Sequence, residues 1–204
     1  MSRTDPKQKV SEKLLTIDAE ARAAAVPLRD TPSVKALSWF SELGDQPQMR
    51  TISAGLLFLG LVRADRRMAS AGARMFLAHE LATAAKNFVK KRVDRSRPRS
   101  AGDKEEQKPE LGGSEAKEET SFPSGHSAGA ASVARAFARE YPEHGAPALA
   151  AGAAVALAQI PRCAHYPTDV GAGIMIGLAA EAAVDAGWQA LTPQPDDDPW
   201  NEPA

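Results

Sequence analysis

The apolar positions of this chain are filled mostly by alanine and glycine, and no stretch of any length alternates apolar and polar residues with the period of a strand. Small side chains let helix axes approach closely, whereas a strand-rich sandwich draws on β-branched and aromatic residues. Aromatics make up only 5% of the chain, so the expected fold is all-α, a bundle of about five to six helices. The 204 residues suffice for one domain with a sizeable core, and two would be tight.

Punctuation along the sequence divides it. Residues 1–30 read as a polar N-terminal arm with one amphipathic helix around Val10 to Ala25, and they lack the apolar core of a cleaved secretory signal. Residues 31–191 form the single helical domain. Asp30-Thr31-Pro32-Ser33 opens a helix over Val34 to Leu43, and further helices follow over Pro47 to Arg63, Met68 to Val93, Ser127 to Glu140, Ala146 to Ile160 and Pro167 to Leu191. Within this domain, residues 99–120 read as a solvated, flexible insertion. Residues 192–204 form an acidic tail expected to be disordered.

Charge and cysteine content exclude several classes. The 25 basic and 26 acidic residues leave a formal charge of −1, which gives no general attraction to nucleic acid, so an anion must be caught locally. A single cysteine, Cys163, rules out an internal disulfide and a multi-cysteine zinc site. By composition the chain reads as soluble. Ile52 to Val62 is short, Gly145 to Ile160 is mainly alanine and glycine, and Val170 to Trp188 carries Glu181 and Asp185. None matches the roughly 20 strongly apolar residues of a clear membrane span.

Reactive side chains concentrate in three segments. Lys90 to Pro98 holds five basic residues within eight positions at a helix end, which suits either a solvated cap on the helix dipole or an anion clamp. Ser121 to Ser127 runs through Pro123-Ser124-Gly125-His126 into a helix. Such a turn aims backbone N–H groups at one spot, Gly125 permits close backbone approach, and His126 is suited to proton transfer. An ordinary serine cap beside an exposed histidine fits the same pattern. In Arg162 to Asp169, His165 and Asp169 stand four apart across a helix start and can share a side. That spacing suits an imidazole oriented by a carboxylate, a helix-cap bond, or two metal ligands. His79 with Glu80 is the one further cluster for a metal.

Together, and in this order, the segments resemble the signature of the type 2 phosphatidic acid phosphatase and vanadium haloperoxidase superfamily, K-x6-R-P, then P-S-G-H, then S-R-x5-H-x3-D. Lys90, Arg97 and Pro98 match the first part, Pro123 to His126 the second, and His165 and Asp169 the third. The resemblance spans roughly residues 50 to 190. It implies His165 as nucleophile, Asp169 as the group that holds its ring, and His126 as proton donor to the leaving group. Lys90, Arg97, Ser124 and Gly125 are implied as phosphate ligands, with no metal and no cofactor. The Ser-Arg pair of the signature falls at Ala158-Gln159, and Arg162, one helical turn on, is expected to supply the missing charge.

The implied activity is hydrolysis of a phosphomonoester or diphosphate, with a phosphorylated lipid such as phosphatidic acid or an isoprenyl diphosphate as substrate. The resemblance also turns the reading from soluble toward a bacterial inner-membrane protein. A soluble acid phosphatase of the same superfamily and a non-catalytic, anion-binding helical module are the alternatives. Haloperoxidase chains tend to be far longer than this one.

Overall fold

The structure is a computed structural model that describes residues 6–101 and 108–192. Seven α-helices occupy these residues: α1 (Pro6–Ala25), α2 (Pro32–Ser41), α3 (Gln46–Val62), α4 (Arg66–Lys90), α5 (Gly125–Glu140), α6 (Gly145–Leu157) and α7 (Pro167–Leu191). Two short strands, β1 (Val93–Asp94) and β2 (Glu110–Leu111), pair antiparallel. The all-α expectation holds, and the seven helices correspond to the one read in the arm and the six read in the domain. Of the acidic tail only Thr192 is described, and residues 1–5 and 102–107 likewise lie outside the described residues.

Helices α3 and α4 form a tight hairpin because glycine lets their backbones meet. A Cβ on Gly60 would lie 2.3 Å from the Ala69 nitrogen, and one on Gly72 would lie 2.2 Å from that of Leu57. Between them Ala64 takes a left-handed φ of 54°, and Asp65 caps α4 by accepting the Met68 N–H at 3.0 Å. Helix α5 packs against α4, α6 and α7. Gly173 and Gly177 of α7 make its approach to α5 possible, since a Cβ on either would come within 2.4 Å of a carbonyl oxygen, Ser124 or Ala128 respectively. One core cluster holds Met49, Met75, Ala78, Val133 and Ala136, and a smaller one Ala82, Ala128 and Ala180.

This alternating layout brings the starts of α3, α5 and α7 and the ends of α4 and α6 to one end of the bundle. The opposite end is held by charge. Arg74 pairs with Glu140 at 3.2 Å and with Asp185, and Arg139 pairs with Glu181 and, at 2.9 Å, with Asp185. Glu181 and Asp185 are thus turned into the bundle from α7, which among the described residues is the helix long and apolar enough to cross a membrane.

Two regions read from sequence as polar appendages make specific contacts. Helix α1 buries Asp18 and Ala25, and its Arg22 donates to the carbonyls of Pro98, at 2.8 Å, and Ala101. In the 99–120 segment, residues 110–119 return along residues 92–97. Val93 pairs with Leu111, Arg95 N–H donates to the Glu119 carbonyl at 2.6 Å, and Arg97 N–H donates to that of Glu118 at 2.8 Å.

Candidate active site

A cavity of about 420 Å³ opens where the helix ends converge. Six basic residues line it, Lys86, Lys90, Arg97, Arg99, Lys117 and Arg162, against two acidic ones, Glu42 and Asp45. The N-termini of α3 and α5, at Gln46 and Pro47 and at Gly125 and His126, also bring their positive dipole ends to it. A low-dielectric wall bearing this excess of cations concentrates a small anion.

His165 is 3% exposed and lies on the cavity wall. The loop before it folds back on itself, with the Gln159 carbonyl accepting the N–H groups of both Ala164, at 3.1 Å, and His165, at 3.2 Å. Cys163 absorbs the turn with a φ of 51°. The Nδ1–H of His165 donates to the Ser121 carbonyl at 2.7 Å, while Asp169 Oδ2 stands 3.7 Å from Nδ1. This corrects the expectation that the carboxylate binds the ring directly. Asp169 is placed beside the ring, and a backbone carbonyl sets the tautomer. Burial, aided by the charges of Arg97 and Lys90, pushes the imidazole pKa down to about 4 against the opposing pull of the Asp169 carboxylate. The ring is therefore neutral at pH 7, with Nε2 carrying the lone pair.

Asp169 is fully buried. Its Oδ2 accepts the Ser121 hydroxyl at 2.6 Å and the Tyr166 N–H at 2.9 Å, and its Oδ1 accepts from Arg95 Nη1 at 2.6 Å. Burial alone would raise the carboxyl pKa, but the His165 ring, Arg95 and Ser121 hold it below the ordinary value.

The cationic groups divide by what they touch. Lys90 Nζ donates to the Thr120 carbonyl at 2.6 Å, and burial, with Arg97 and Lys86 close by, pushes its pKa down to about 8. Arg97 spends two of its five N–H groups on the carbonyls of Lys117, at 2.8 Å, and Ala164, at 3.2 Å. Arg162 donates to Ser41 Oγ and to Gln159 Oε1, the latter at 3.4 Å. It lines the cavity beside Gln159, whose own Nε2 is turned back onto the Val155 carbonyl at 3.0 Å.

In the Pro-Ser-Gly-His turn the residues separate. Gly125 and His126 line the cavity, on the first turn of α5 where N–H groups have no acceptor within the helix. Ser124 does not line it. Its hydroxyl caps α5 by accepting the Ser127 N–H at 3.4 Å and also accepts the Ser127 hydroxyl at 2.8 Å, and its N–H donates to the Asp169 carbonyl at 3.0 Å. The expected Ser124 phosphate contact is thus replaced by a structural one. His126 Nε2 sits 2.7 Å from Asp45 Oδ1 without the alignment of a hydrogen bond. Burial lowers its pKa, opposed by Asp45. His79 lies in the core, with Nδ1 at 3.2 Å from Glu80 Oε1, and does not line the cavity.

Several cavity residues escape a reading by motif. Lys86 stands one turn before Lys90, and the i, i+4 spacing alone would have placed both on one face. Asp45, Arg99 and Lys117 reach the cavity only through tertiary folding. Arg95 sits in the basic segment but points away from the cavity, to Asp169 and to Asp18 of α1.

This geometry agrees with what the chain resembles. Among solved structures it is similar to a transmembrane PAP2 type phosphatidylglycerolphosphate phosphatase from Bacillus subtilis, with a TM-score of 0.59 and 20% identity over 93% of this chain and 90% of that one, a likeness of fold. No curated protein matches the sequence. The family model of the PAP2 superfamily matches residues 71–191, more than half of the chain and all three reactive segments, so the chain belongs to the PAP2 superfamily.

Proposed function

We propose that the protein is a phosphatase that releases phosphate from a phosphorylated lipid, a phosphatidic-acid-like monoester or an isoprenyl diphosphate, through a phosphohistidine on His165. The observation that carries this reading is the neutral, buried His165 ring, tethered through Nδ1 to the Ser121 carbonyl on the wall of a cavity rich in basic groups. Nε2 attacks phosphorus, the bond from phosphorus to the leaving oxygen breaks, and that oxygen takes a proton from His126. Water then attacks the phosphohistidine and gives a proton to His126, and inorganic phosphate departs as His165 is restored. Lys90, Arg97, Arg162 and the amides of Gly125 and His126 hold the non-bridging oxygens, with Lys86 as a further cation. Ser124 serves by capping the helix that presents those amides. Asp169 balances the positive charge that His165 acquires. Electrostatic stabilisation of the transferred group is the main contribution, and no step uses a metal or cofactor.

Trp39, Leu43, Phe88 and Leu157 are exposed, Trp39 at 75%, and lie on elements that end at the cavity. They support a mouth that faces a bilayer, the bacterial inner membrane being the setting the resemblance implies. The cavity wall itself favours a second reading. Apart from Pro47, Ala164 and two glycines it is polar, which suits a water-soluble phosphomonoester. One assay separates the cases: phosphate release from phosphatidic acid vesicles and from p-nitrophenyl phosphate, both in EDTA. Turnover of the lipid that persists in chelator and vanishes in His165→Ala is the expected result. Turnover of the soluble ester alone selects the second reading, and activity lost in EDTA or kept in His165→Ala overturns the phosphohistidine scheme.

A further inference from the structure

Helix α1 lies outside the residues matched by the family, yet one of its side chains enters the network behind the site. Asp18 is 1% exposed. Its Oδ1 accepts the Thr168 N–H at 3.1 Å, and its Oδ2 accepts the Thr168 hydroxyl at 2.5 Å and Arg95 Nη2 at 2.7 Å. Arg95 Nη1 in turn donates to Thr168 Oγ1 at 2.8 Å and to Asp169 Oδ1 at 2.6 Å. The Arg95 guanidinium also stacks on the Tyr166 ring, 4.0 Å from its centroid. One buried cation therefore bridges two buried carboxylates, and the second of these stands next to the His165 ring.

We propose that Asp18 is a positioning residue for the phosphoryl transfer, resting on the reading of His165 as nucleophile. A buried arginine paired with Asp169 alone neutralises it and competes with the imidazole for its charge. With Asp18 on the other side of Arg95, the guanidinium is shared between two carboxylates, and Asp169 keeps more of its charge for the ring when His165 becomes cationic on phosphorylation. Asp18 also ties down the first turn of α7 at Thr168, next to Asp169, and so fixes the angle from which the carboxylate faces the ring. Arg22, one turn further along α1, clamps the 98–101 strip beside it. An arm that reads as a polar appendage thus reaches the nucleophile through two ion pairs.

The test compares Asp18→Asn, Asp18→Glu, Arg95→Gln and the double variant D18N/R95Q by steady-state kinetics. Two ligands read the site without turnover: inorganic phosphate, held by the cage alone, and orthovanadate, which takes a ring nitrogen as its fifth ligand. D18N is expected to lower kcat about 10- to 100-fold with KM within about twofold, the scale of a misplaced reacting group. Vanadate affinity should fall in step with kcat while phosphate affinity holds, and D18E should recover most of the rate. Because asparagine keeps an oxygen for Thr168 and the lost charge acts through Arg95, the double variant should be no slower than R95Q. If D18N does not fold, the double variant, which removes cation and carboxylate together, is still expected to fold and to match R95Q.

Wild-type kcat in D18N overturns the proposal, as do equal losses in D18N and D18E, parallel losses of phosphate and vanadate affinity, or a double variant more than about tenfold slower than R95Q. A wild-type protein that hydrolyses no phosphoester and binds no vanadate sinks the phosphohistidine reading and this proposal with it, whereas an active wild type with an indifferent D18N sinks this proposal alone.

Discussion

His165 and His126 share a cavity, and both are shifted toward the neutral form by burial, but the proposed chemistry needs them in opposite states. As nucleophile His165 must be unprotonated, so kcat/KM should rise as pH increases through about 4. As general acid His126 must carry its proton, and burial holds its pKa below the ordinary 6.5, so kcat/KM should fall again before that pH is reached. The expected profile is a bell on the acid side of neutrality. In His126→Asn the remaining rate should stay level until Lys90 loses its proton near pH 8. A falling limb left in place by H126N would show that another group donates the proton. Arg162 makes a separate prediction. Arg162→Ala should lower kcat/KM by about tenfold or more, the worth of a hydrogen bond to a charged group. Unchanged phosphoester kinetics would mean that Arg162 does not stand in for the arginine the family signature has at Gln159.

Between elements, the contact of α5 with α7 governs the site. Gly177→Ala would put a Cβ 2.4 Å from the Ala128 oxygen and 3.0 Å from the Ala131 Cβ, and it should destabilise the fold by about 1–3 kcal/mol in chemical denaturation. Gly173→Ala presses on Ser124 O and Ser127 Cβ, the turn that carries Gly125 and His126. It should therefore lose activity in its folded fraction as well as stability. Gly171, on the same helix, meets nothing within 4 Å and is exposed, so Gly171→Ala should stabilise by up to about 1 kcal/mol through helix propensity. If all three variants behave alike, helix propensity rather than close approach controls these positions.

At the scale of the molecule the bundle is polarised, with an anion cavity at one end and a self-neutralised ion network at the other. Arg74 and Asp185 are both buried there, and Asp185 keeps Arg139 when Arg74 is removed. Arg74→Ala should thus destabilise toward the lower end of about 3–5 kcal/mol, measured by denaturant unfolding, with kcat of the folded protein unchanged. A fall in kcat without loss of stability would show that the two ends are coupled.

By itself the sequence determined the helices and three of the reactive segments, because periodicity, caps and the order of short motifs are local properties of the chain. Small residues at helical spacing were enough to read an all-α bundle, and Lys90, Arg97, Gly125, His126, Arg162 and His165 do line one cavity. Only the tertiary structure decided which atom holds which. Ser121, rather than Asp169, binds the His165 ring, the Ser124 hydroxyl caps a helix, Asp45 faces His126, and Asp18 reaches Arg95 across 77 positions. Those pairings join residues far apart in sequence, and they follow from which helix ends meet. That is set by glycine contacts and buried charges summed over the whole bundle, with no signature at any single position.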